Sequence, residues 1–278
     1  MYANGGAITI ACSMPEELLH YIEIMVKTLG RYLMVATIFF VVFYIVLKHH
    51  HWFVKIQERF PNNKDYAREV FYSALSVIIF ASIALFVFSL PHQYVLLYRD
   101  FDAYPVWYYA LSFVLMLLVH DTYFYWMHRF MHLPRLFKWF HLTHHKSTNP
   151  SPWAAYAFHP LEAVIEGAIP LVIVQVMPVH TSALTIFFIF QIIYNVYGHL
   201  GYELYPKGFA RSWVGRYINT SVNHNLHHKY FKGSYGLYFT IWDRLMGTMH
   251  PKYDHDFERV TATQAAQRAA HKLKVEEQ

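Results

Sequence analysis

The sequence VFYSALSVIIFASIALFVFSL occupies residues 70–90 and identifies the fold class of this chain. It contains no charged residue and is long enough to span a bilayer, because a spanning helix needs about 20 mostly apolar residues. Apolar and polar residues do not alternate along it, which favours a helix over a buried strand. The run therefore predicts a membrane-spanning helix.

Other apolar runs flank this one. They cover residues 32–47, 107–119 with a continuation through 123–126, 161–177, and 182–198. His120 and Asp121 interrupt the second of these runs, and the last two are short enough to form a hairpin that does not fully cross the membrane. We therefore expect an all-α integral membrane bundle of four to five transmembrane helices.

The composition agrees with a membrane protein. Of the 278 residues, 55% are hydrophobic and only 15% are charged, against roughly 25% charged in an average soluble domain. The single cysteine, Cys12, excludes an internal disulfide, an iron–sulfur cluster and any CxxC metal motif. The 20 histidines are the unusual feature that remains, and they direct any metal chemistry toward nitrogen and oxygen ligands.

The distribution of lysine and arginine predicts the orientation in the membrane. Residues 48–68 carry five of them, residues 129–146 carry four and the chain after His199 carries eleven, whereas residues 91–105 carry only Arg99. Because positive loops stay in the cytoplasm, we expect these three stretches there and the N-terminus outside. The net charge of +5 is then explained by topology and anionic lipid, and no nucleic-acid partner is indicated.

We divide the chain into three regions. Residues 1–106 form N-terminal transmembrane helices with a connecting loop, residues 107–250 form the catalytic domain, and residues 251–278 form a polar cytoplasmic tail. Within this tail, residues 261–278 are rich in Ala, Gln, Lys and Glu, and we expect them to form a short solvated helix. Residues 1–28 show no basic segment followed by an apolar one, so no cleavable signal peptide is predicted.

Nine histidines follow a spacing that suits metal binding. They are His128 and His132 in an HxxxH box, His141, His144 and His145 in an HxxHH box, His224, His227 and His228 in a second HxxHH box, and His199. In a helix, residues four apart lie about 40° apart and one turn along the axis, so both can bind one ion. The three rings of an HxxHH box can reach two neighbouring ions. All nine lie at the predicted cytoplasmic ends of the apolar runs or just beyond them.

Other polar residues near these boxes allow two interpretations. Asp121 lies seven residues before His128 and within about 20° on the same helical face, so we expect it to accept an imidazole N–H or to act as a simple cap or polar anchor. His120, His159 and Glu162 remain undecided. We interpret the remaining histidines, including the run at residues 49–51, as structural or interfacial.

The number of imidazoles limits the choice of metal. Catalytic zinc typically keeps three protein ligands, so nine histidines together with Asn195, one turn before His199, are too many for one zinc ion. They match two ions with four or five ligands each. Haem uses one or two axial ligands per iron, and the absence of HExxH excludes a zincin protease.

The order and spacing of these motifs resemble the fatty acid hydroxylase/sterol desaturase superfamily. The resemblance covers roughly residues 108–249 and includes the sequences DTYFYWMHRFMH at 121–132, HLTHH at 141–145, NHNLHH at 223–228 and WDRLMGT at 242–248. It implies that the nine histidines hold two non-haem iron ions. At the position of Asn195 some members carry a further histidine, which leaves Asn195 as a water-mediated ligand.

The resemblance also implies an activity and partners. We expect hydroxylation of an unactivated C–H bond in a membrane lipid, sterol or fatty acyl chain, with O₂ as co-substrate, and desaturation at the same di-iron centre as the alternative. Electrons would come from an external donor, a cytochrome b5-like or ferredoxin-type protein, because the chain has no dinucleotide motif or cysteine cluster. The membrane would be a bacterial inner membrane or the endoplasmic reticulum.

A metal transporter or sensor is the rival from another class, but transport sites usually lie near the bilayer midplane.

Overall fold

The computed structural model describes residues 15–48, 50 and 52–277. Cys12, and His49 and His51 of the histidine run, lie outside the described residues. Within them the chain is mostly helical, which confirms the predicted all-α class. Its α-helices are α1 (Glu16–Phe40), α2 (Asn63–Ser89), α3 (Val106–Met131), α4 (Pro134–Phe140), α5 (Leu142–His145), α6 (Pro160–Gly167), α7 (Ile169–Val176), α8 (Thr181–Gly198), α9 (Ser221–Tyr230), α10 (Ile241–Leu245) and α11 (Tyr253–Glu276).

Four helical segments of the described chain are long and apolar enough to cross a membrane, so the protein is a multi-pass integral membrane protein. They are Leu18–Val46, Asn63–Ser89, Val106–Met131 and Thr181–Gly198. The first combines α1 with a π-helical continuation at Val41–Val46. It begins earlier than the apolar run at 32–47 and includes Lys27 and Glu23, which form an exposed ion pair of 2.5 Å.

The apolar run at 161–177 does not form a fifth span. It is divided into the short helices α6 and α7 at Ala168, and Pro170 stands in the first turn of α7. Proline is favoured in the first turn of a helix because its missing N–H has no partner there. Gly167 at the end of α6 lets α2 approach closely, since a Cβ there would lie 2.7 Å from Cδ1 of Phe80.

Local sequence signals explain where the long helices begin. Asn62 caps α2, and its side chain accepts hydrogen bonds from the N–H groups of Lys64 and Asp65, while the Asp65 side chain accepts from the N–H of Asn62. This reciprocal pair is a capping box. At the other membrane side, the two-residue strands Leu97–Tyr98 and Val179–His180 pair in parallel and join the α2–α3 connection to the start of α8.

The short helices α4, α5, α9 and α10 lie beyond the ends of α3 and α8 and form a cap over the bundle. Most side chains of α9 are polar, yet all residues from Ser221 to His228 are buried. Helix α11 packs on α9 through Tyr253, Phe257 and Val260 and accounts for the helix predicted over the tail. A buried polar helix needs partners for its polar side chains. In α9, the histidines make such contacts.

Candidate metal centre

The structure brings the eight box histidines and His199 together in two adjacent groups. The first group contains His128, His132, His141, His145 and His227, and the second contains His144, His199, His224 and His228. Within each group, the potential ligand atoms lie within 4.8 Å of one another. Each group could therefore hold one metal ion.

Each HxxHH box supplies both groups. On α5, His145 joins His141 in the first group, while His144 belongs to the second. On α9, His224 and His228 lie in the second group and His227 in the first. This division follows from helix geometry, because residues four apart lie on one face and the residue between them points to a neighbouring face.

The ligand atoms of the second group are close enough to share one ion. The Nε2 atom of His199 lies 3.0 Å from that of His224, and 3.2 Å from those of His144 and His228. In the first group, Nε2 of His132 lies 3.1 Å from Nε2 of His145. The Nε2 atoms therefore point toward a common centre in each group.

Backbone carbonyl groups fix the orientation of four of these rings through Nδ1. The contacts join His128 to the carbonyl oxygen of Tyr235, His199 to that of Asn195, His227 to that of Gly233 and His228 to that of Ser147, at 2.9, 2.7, 2.7 and 3.0 Å. A carbonyl oxygen only accepts, so Nδ1 carries the hydrogen and Nε2 presents its lone pair. Lone pairs about 3 Å apart repel one another, and a cation between them removes that repulsion.

A fifth ring is held by a carboxylate. Nδ1 of His141 donates to Oε1 of Glu162 at 2.6 Å, and both side chains are buried. This contact settles the interpretation of Glu162 that the sequence left open. His141 stands between α4 and α5, and Glu162 lies in α6, so helical spacing gave no signal for this contact. Hydrogen bonds of this type orient metal-binding imidazoles and raise their basicity.

The remaining atoms and charges of the site also fit a metal. Nε2 of His128, His141 and His227 is buried without a hydrogen-bond partner among the described residues. Burial lowers the pKa of His199 to about 4, and burial together with the neighbouring imidazole of His128 lowers the pKa of His132 to about 2. The rings are therefore neutral near pH 7, which is the state that binds metal ions.

Asp121 has a different partner from the imidazole that we expected. Its Oδ1 accepts the backbone N–H groups of Leu237, Tyr238 and Phe239 at 3.2, 2.7 and 3.1 Å. The expected contact does not form, because the α9–α10 loop lies against this face of α3. Asp121 anchors that loop, as in the alternative interpretation.

Asp243 anchors the same loop from its other side. Its carboxylate accepts the N–H groups of Tyr235 and Gly236, both at 2.9 Å. The carbonyl oxygen of Tyr235, in the same loop, accepts from His128. By fixing this loop, the two aspartates therefore help to position the first histidine group. The closing WDR segment of the sequence therefore has a positioning role.

Asn195 lies at the boundary between the histidines and a large cavity. Its side-chain N–H donates to the carbonyl oxygen of Ala155 at 2.7 Å. Its backbone carbonyl oxygen accepts from Nδ1 of His199. A water-mediated metal contact by Asn195 stays a prediction. The sequence left the roles of His159 and His120 undecided. In the structure, His159 caps α6 through Nδ1, and Nδ1 of His120 lies 3.0 Å from the hydroxyl oxygen of Tyr238.

The cavity has a volume of about 580 Å³ and lies between α1, α2, α3, α6 and α8. Most of its lining is apolar, and one end is formed by Asn195 and Phe158. The ring of Phe158 lies 5.0 Å from the ring of His144, so this end of the cavity adjoins the second histidine group. The size falls within the range of small-molecule sites, roughly 300–1,000 Å³.

The fold and the site together define a multi-pass membrane protein with a histidine-rich site for two metal ions beside an apolar cavity. Comparison with known proteins agrees with this class. Residues 113–248 match the family model described as fatty acid hydroxylase. The chain belongs to the fatty acid hydroxylase/sterol desaturase superfamily.

Three relatives illustrate the similarity. The chain is 32% identical to Delta(7)-sterol 5(6)-desaturase ERG3B of Gibberella zeae over 77% of its own length and 62% of that protein. It is 31% identical to Delta(7)-sterol 5(6)-desaturase erg3C of Aspergillus fumigatus over 74% of its own length and 70% of that protein. It is 28% identical to lathosterol oxidase of Homo sapiens over 81% of its own length and 73% of that protein. The match spans less than two thirds of the Gibberella protein. No solved structure matches the chain significantly.

Proposed function

We propose that this protein is an O₂-dependent membrane oxidoreductase that desaturates a sterol at a centre of two non-haem iron ions. The observation that carries this proposal is the convergence of nine neutral imidazoles in two groups at one end of an apolar cavity. Hydroxylation of the lipid, which the sequence favoured first, is the second outcome of the same chemistry.

The donor set fits two iron ions. Nine nitrogen ligands in groups of five and four match the number that two ions need, and imidazole is a suitable ligand for iron. When bound, the two iron ions would activate O₂ for the removal of hydrogen from an unactivated C–H bond. The role of the chain is to hold the Nε2 atoms in position, through the carbonyl groups and through Glu162.

The cavity supplies binding and orientation. Phe80, Phe124, Phe158 and Phe188 line it, and the ring of Phe158 lies 5.0 Å from the ring of His144. A rigid apolar lipid is the kind of substrate that such walls hold in one orientation, and alignment of one C–H bond with the metal groups accounts for much of the rate enhancement in such a site.

The balance of the reaction requires a donor of two electrons. A lipid loses two hydrogen atoms and gains a double bond, while O₂ takes these hydrogens, two electrons and two protons to give two molecules of water. In hydroxylation, one oxygen atom enters the lipid and the other leaves as water. The donor supplies the same two electrons in both cases.

The names of the relatives support desaturation over hydroxylation. Two of the three relatives described above are called sterol desaturases, and the third is called lathosterol oxidase. Because both reactions begin with the removal of one hydrogen, the position of the second C–H bond in the cavity selects between them.

Exposed basic side chains support an external electron donor at the cap. Arg135 and Lys138 on α4, Lys146 after α5, and Lys229 and Lys232 around the end of α9 are exposed. Opposite charge would direct a small acidic cytochrome b5-like or ferredoxin-type protein to this surface. We propose that the cap lies on the cytoplasmic side, on the distribution of Lys and Arg, in the endoplasmic reticulum or a bacterial inner membrane.

Lipid analysis of cells with and without the chain tests the proposal. Cells that express the protein should contain a sterol lighter by two hydrogens, and cells that express His144→Ala at the same level should not. A product heavier by one oxygen would establish hydroxylation. Turnover by His144→Ala would remove His144 from the ligand set.

Metal analysis of the purified protein distinguishes the rival class. We expect about two irons per chain after expression in iron-rich medium. Stoichiometric zinc without iron, together with metal flux in vesicles, would contradict the oxidoreductase and support a transporter.

A further inference from the structure

Two buried polar side chains in the apolar cavity have groups that no described residue uses. Glu166 on α6 and Gln191 on α8 are each 9% exposed and both line the cavity. The carboxyl group of Glu166 makes no hydrogen bond with a described residue. Gln191 accepts the hydroxyl hydrogen of Tyr156 at 3.0 Å through Oε1, so its Nε2 donor has no acceptor among the described residues.

Phe80 connects these two residues. Its ring lies 5.0 Å from the ring of Tyr156, which holds Gln191. The same ring packs against Gly167, the residue after Glu166, so closely that a Cβ would lie 2.7 Å away. Both polar side chains therefore line the cavity next to residues that contact Phe80.

A buried polar group without a partner destabilises the empty protein, so its retention indicates a ligand that pairs with it. Here one group offers carboxyl oxygens and the other an amide N–H. A hydroxyl group matches both, because it donates one hydrogen bond and accepts another. We propose that Glu166 and Gln191 form a subsite that binds the hydroxyl group of a neutral lipid; this rests on the proposed function.

An anionic lipid is the alternative ligand. Lys27, Arg31 and Arg99 also line the cavity and would attract a carboxylate, and Arg31 has a hydrogen bond to Thr28 at 3.3 Å. A carboxylate in this apolar space would however lie in the same cavity as the carboxyl group of Glu166. A sterol is an alcohol, so the subsite agrees with a sterol and disfavours a free fatty acid.

The subsite would also fix which carbon reaches the metal groups. Gln191 lies eight residues before His199 on α8, so the two are about 12 Å apart along the helix axis. A hydroxyl group bound at Gln191 gives the polar end of the lipid a fixed distance from the second histidine group. Glu166 and Gln191 are thus specificity-determining residues.

Equilibrium binding to the metal-free, full-length protein in nanodiscs tests the subsite independently of turnover. The probes are lathosterol, the same molecule without its hydroxyl group, and palmitic acid. The wild type should bind lathosterol at least tenfold more tightly than the deoxy compound, because loss of the hydroxyl leaves two buried groups unpaired. Gln191→Leu and Glu166→Leu should each reduce this preference several-fold.

Two controls make the result decisive. Gln175→Leu changes an exposed glutamine outside the cavity and should leave the preference unchanged. Unchanged affinity for the deoxy compound shows that each variant is folded, and Glu166→Gln provides a milder change if Glu166→Leu does not fold. Equal wild-type affinity for lathosterol and the deoxy compound would overturn the subsite, as would tighter binding of palmitic acid that Arg31→Gln abolishes. Neither result would affect iron content or oxidation, which test the proposed function separately.

Discussion

Glu162 lies one turn before Glu166 on α6, yet only Glu162 contacts a histidine of the proposed centre. Its Oε1 accepts from Nδ1 of His141 at 2.6 Å, and both side chains are buried. The other oxygen, Oε2, has no partner among the described residues. Glu162 is therefore placed to orient a proposed metal ligand, whereas Glu166 lies in the proposed lipid subsite.

We expect Glu162→Ala to weaken metal binding by about 10- to 100-fold, because His141 loses the acceptor that orients its ring. Iron content after dialysis against a series of chelator concentrations measures this change. Glu166→Ala is the matched control, and it should retain the iron content of the wild type. Equal iron retention by both variants would contradict the role of Glu162.

Removal of the Asp121 carboxylate should destabilise the α9–α10 loop. Asp121→Ala leaves three backbone N–H groups without their acceptor, which we expect to cost about 3 kcal/mol. A lower melting temperature of the detergent-solubilised protein would show this loss. Asp100→Ala, which removes an exposed carboxylate at the other membrane side, should change the melting temperature little. An unchanged melting temperature for Asp121→Ala would refute the anchoring role.

The metal-free protein should lose stability in mild acid. Burial lowers the pKa of His199 to about 4 and that of His132 to about 2, below the ordinary value of 6.5. Below pH 6.5 the unfolded chain therefore binds more protons than the folded chain, so the free energy of unfolding falls as pH falls. We expect melting temperatures that are constant above about pH 7.5 and decline from pH 6.5 toward pH 4. A melting temperature that rises over that interval would contradict the lowered pKa values.

Charge reversal on the cap should weaken the reaction with an acidic electron donor. The double variant Lys138→Glu/Lys229→Glu should raise the KM for soluble cytochrome b5 several-fold at low salt and leave kcat unchanged. The difference should shrink in 0.5 M salt because exposed charges are screened. Lys272→Glu on the distant tail helix serves as control. If the control and the double variant give equal KM values, the donor binds elsewhere.

The sequence predicted the histidine set well because helical periodicity is a local property. Three boxes with spacings of three and four residues already define which rings share a face, and all nine histidines meet in the structure. The division of each HxxHH box between two ions follows from the same arithmetic. Long uncharged runs such as 70–90 likewise predicted spanning helices.

Contacts between distant segments could not be predicted from the sequence. The pairing of His141 with Glu162 depends on how the chain between α4 and α5 packs against α6, and the partner of Asp121 depends on the path of the loop at 235–239. The first span was placed too late, because the uncharged run at 32–47 leaves out the segment with Glu23 and Lys27, whereas the span begins at Leu18. The break at Ala168, by contrast, had a local signal, because Pro170 stands in the first turn of α7.

The alternation of the two HxxHH boxes between the histidine groups has a consequence for assembly in the cell. His144 and His145 are consecutive in the chain, as are His227 and His228, so an ion captured by one group fixes the backbone that presents ligands to the other. A second ion would then bind to a site already ordered by the first. Under iron limitation, the population should divide into empty and fully loaded molecules, with few that carry a single ion.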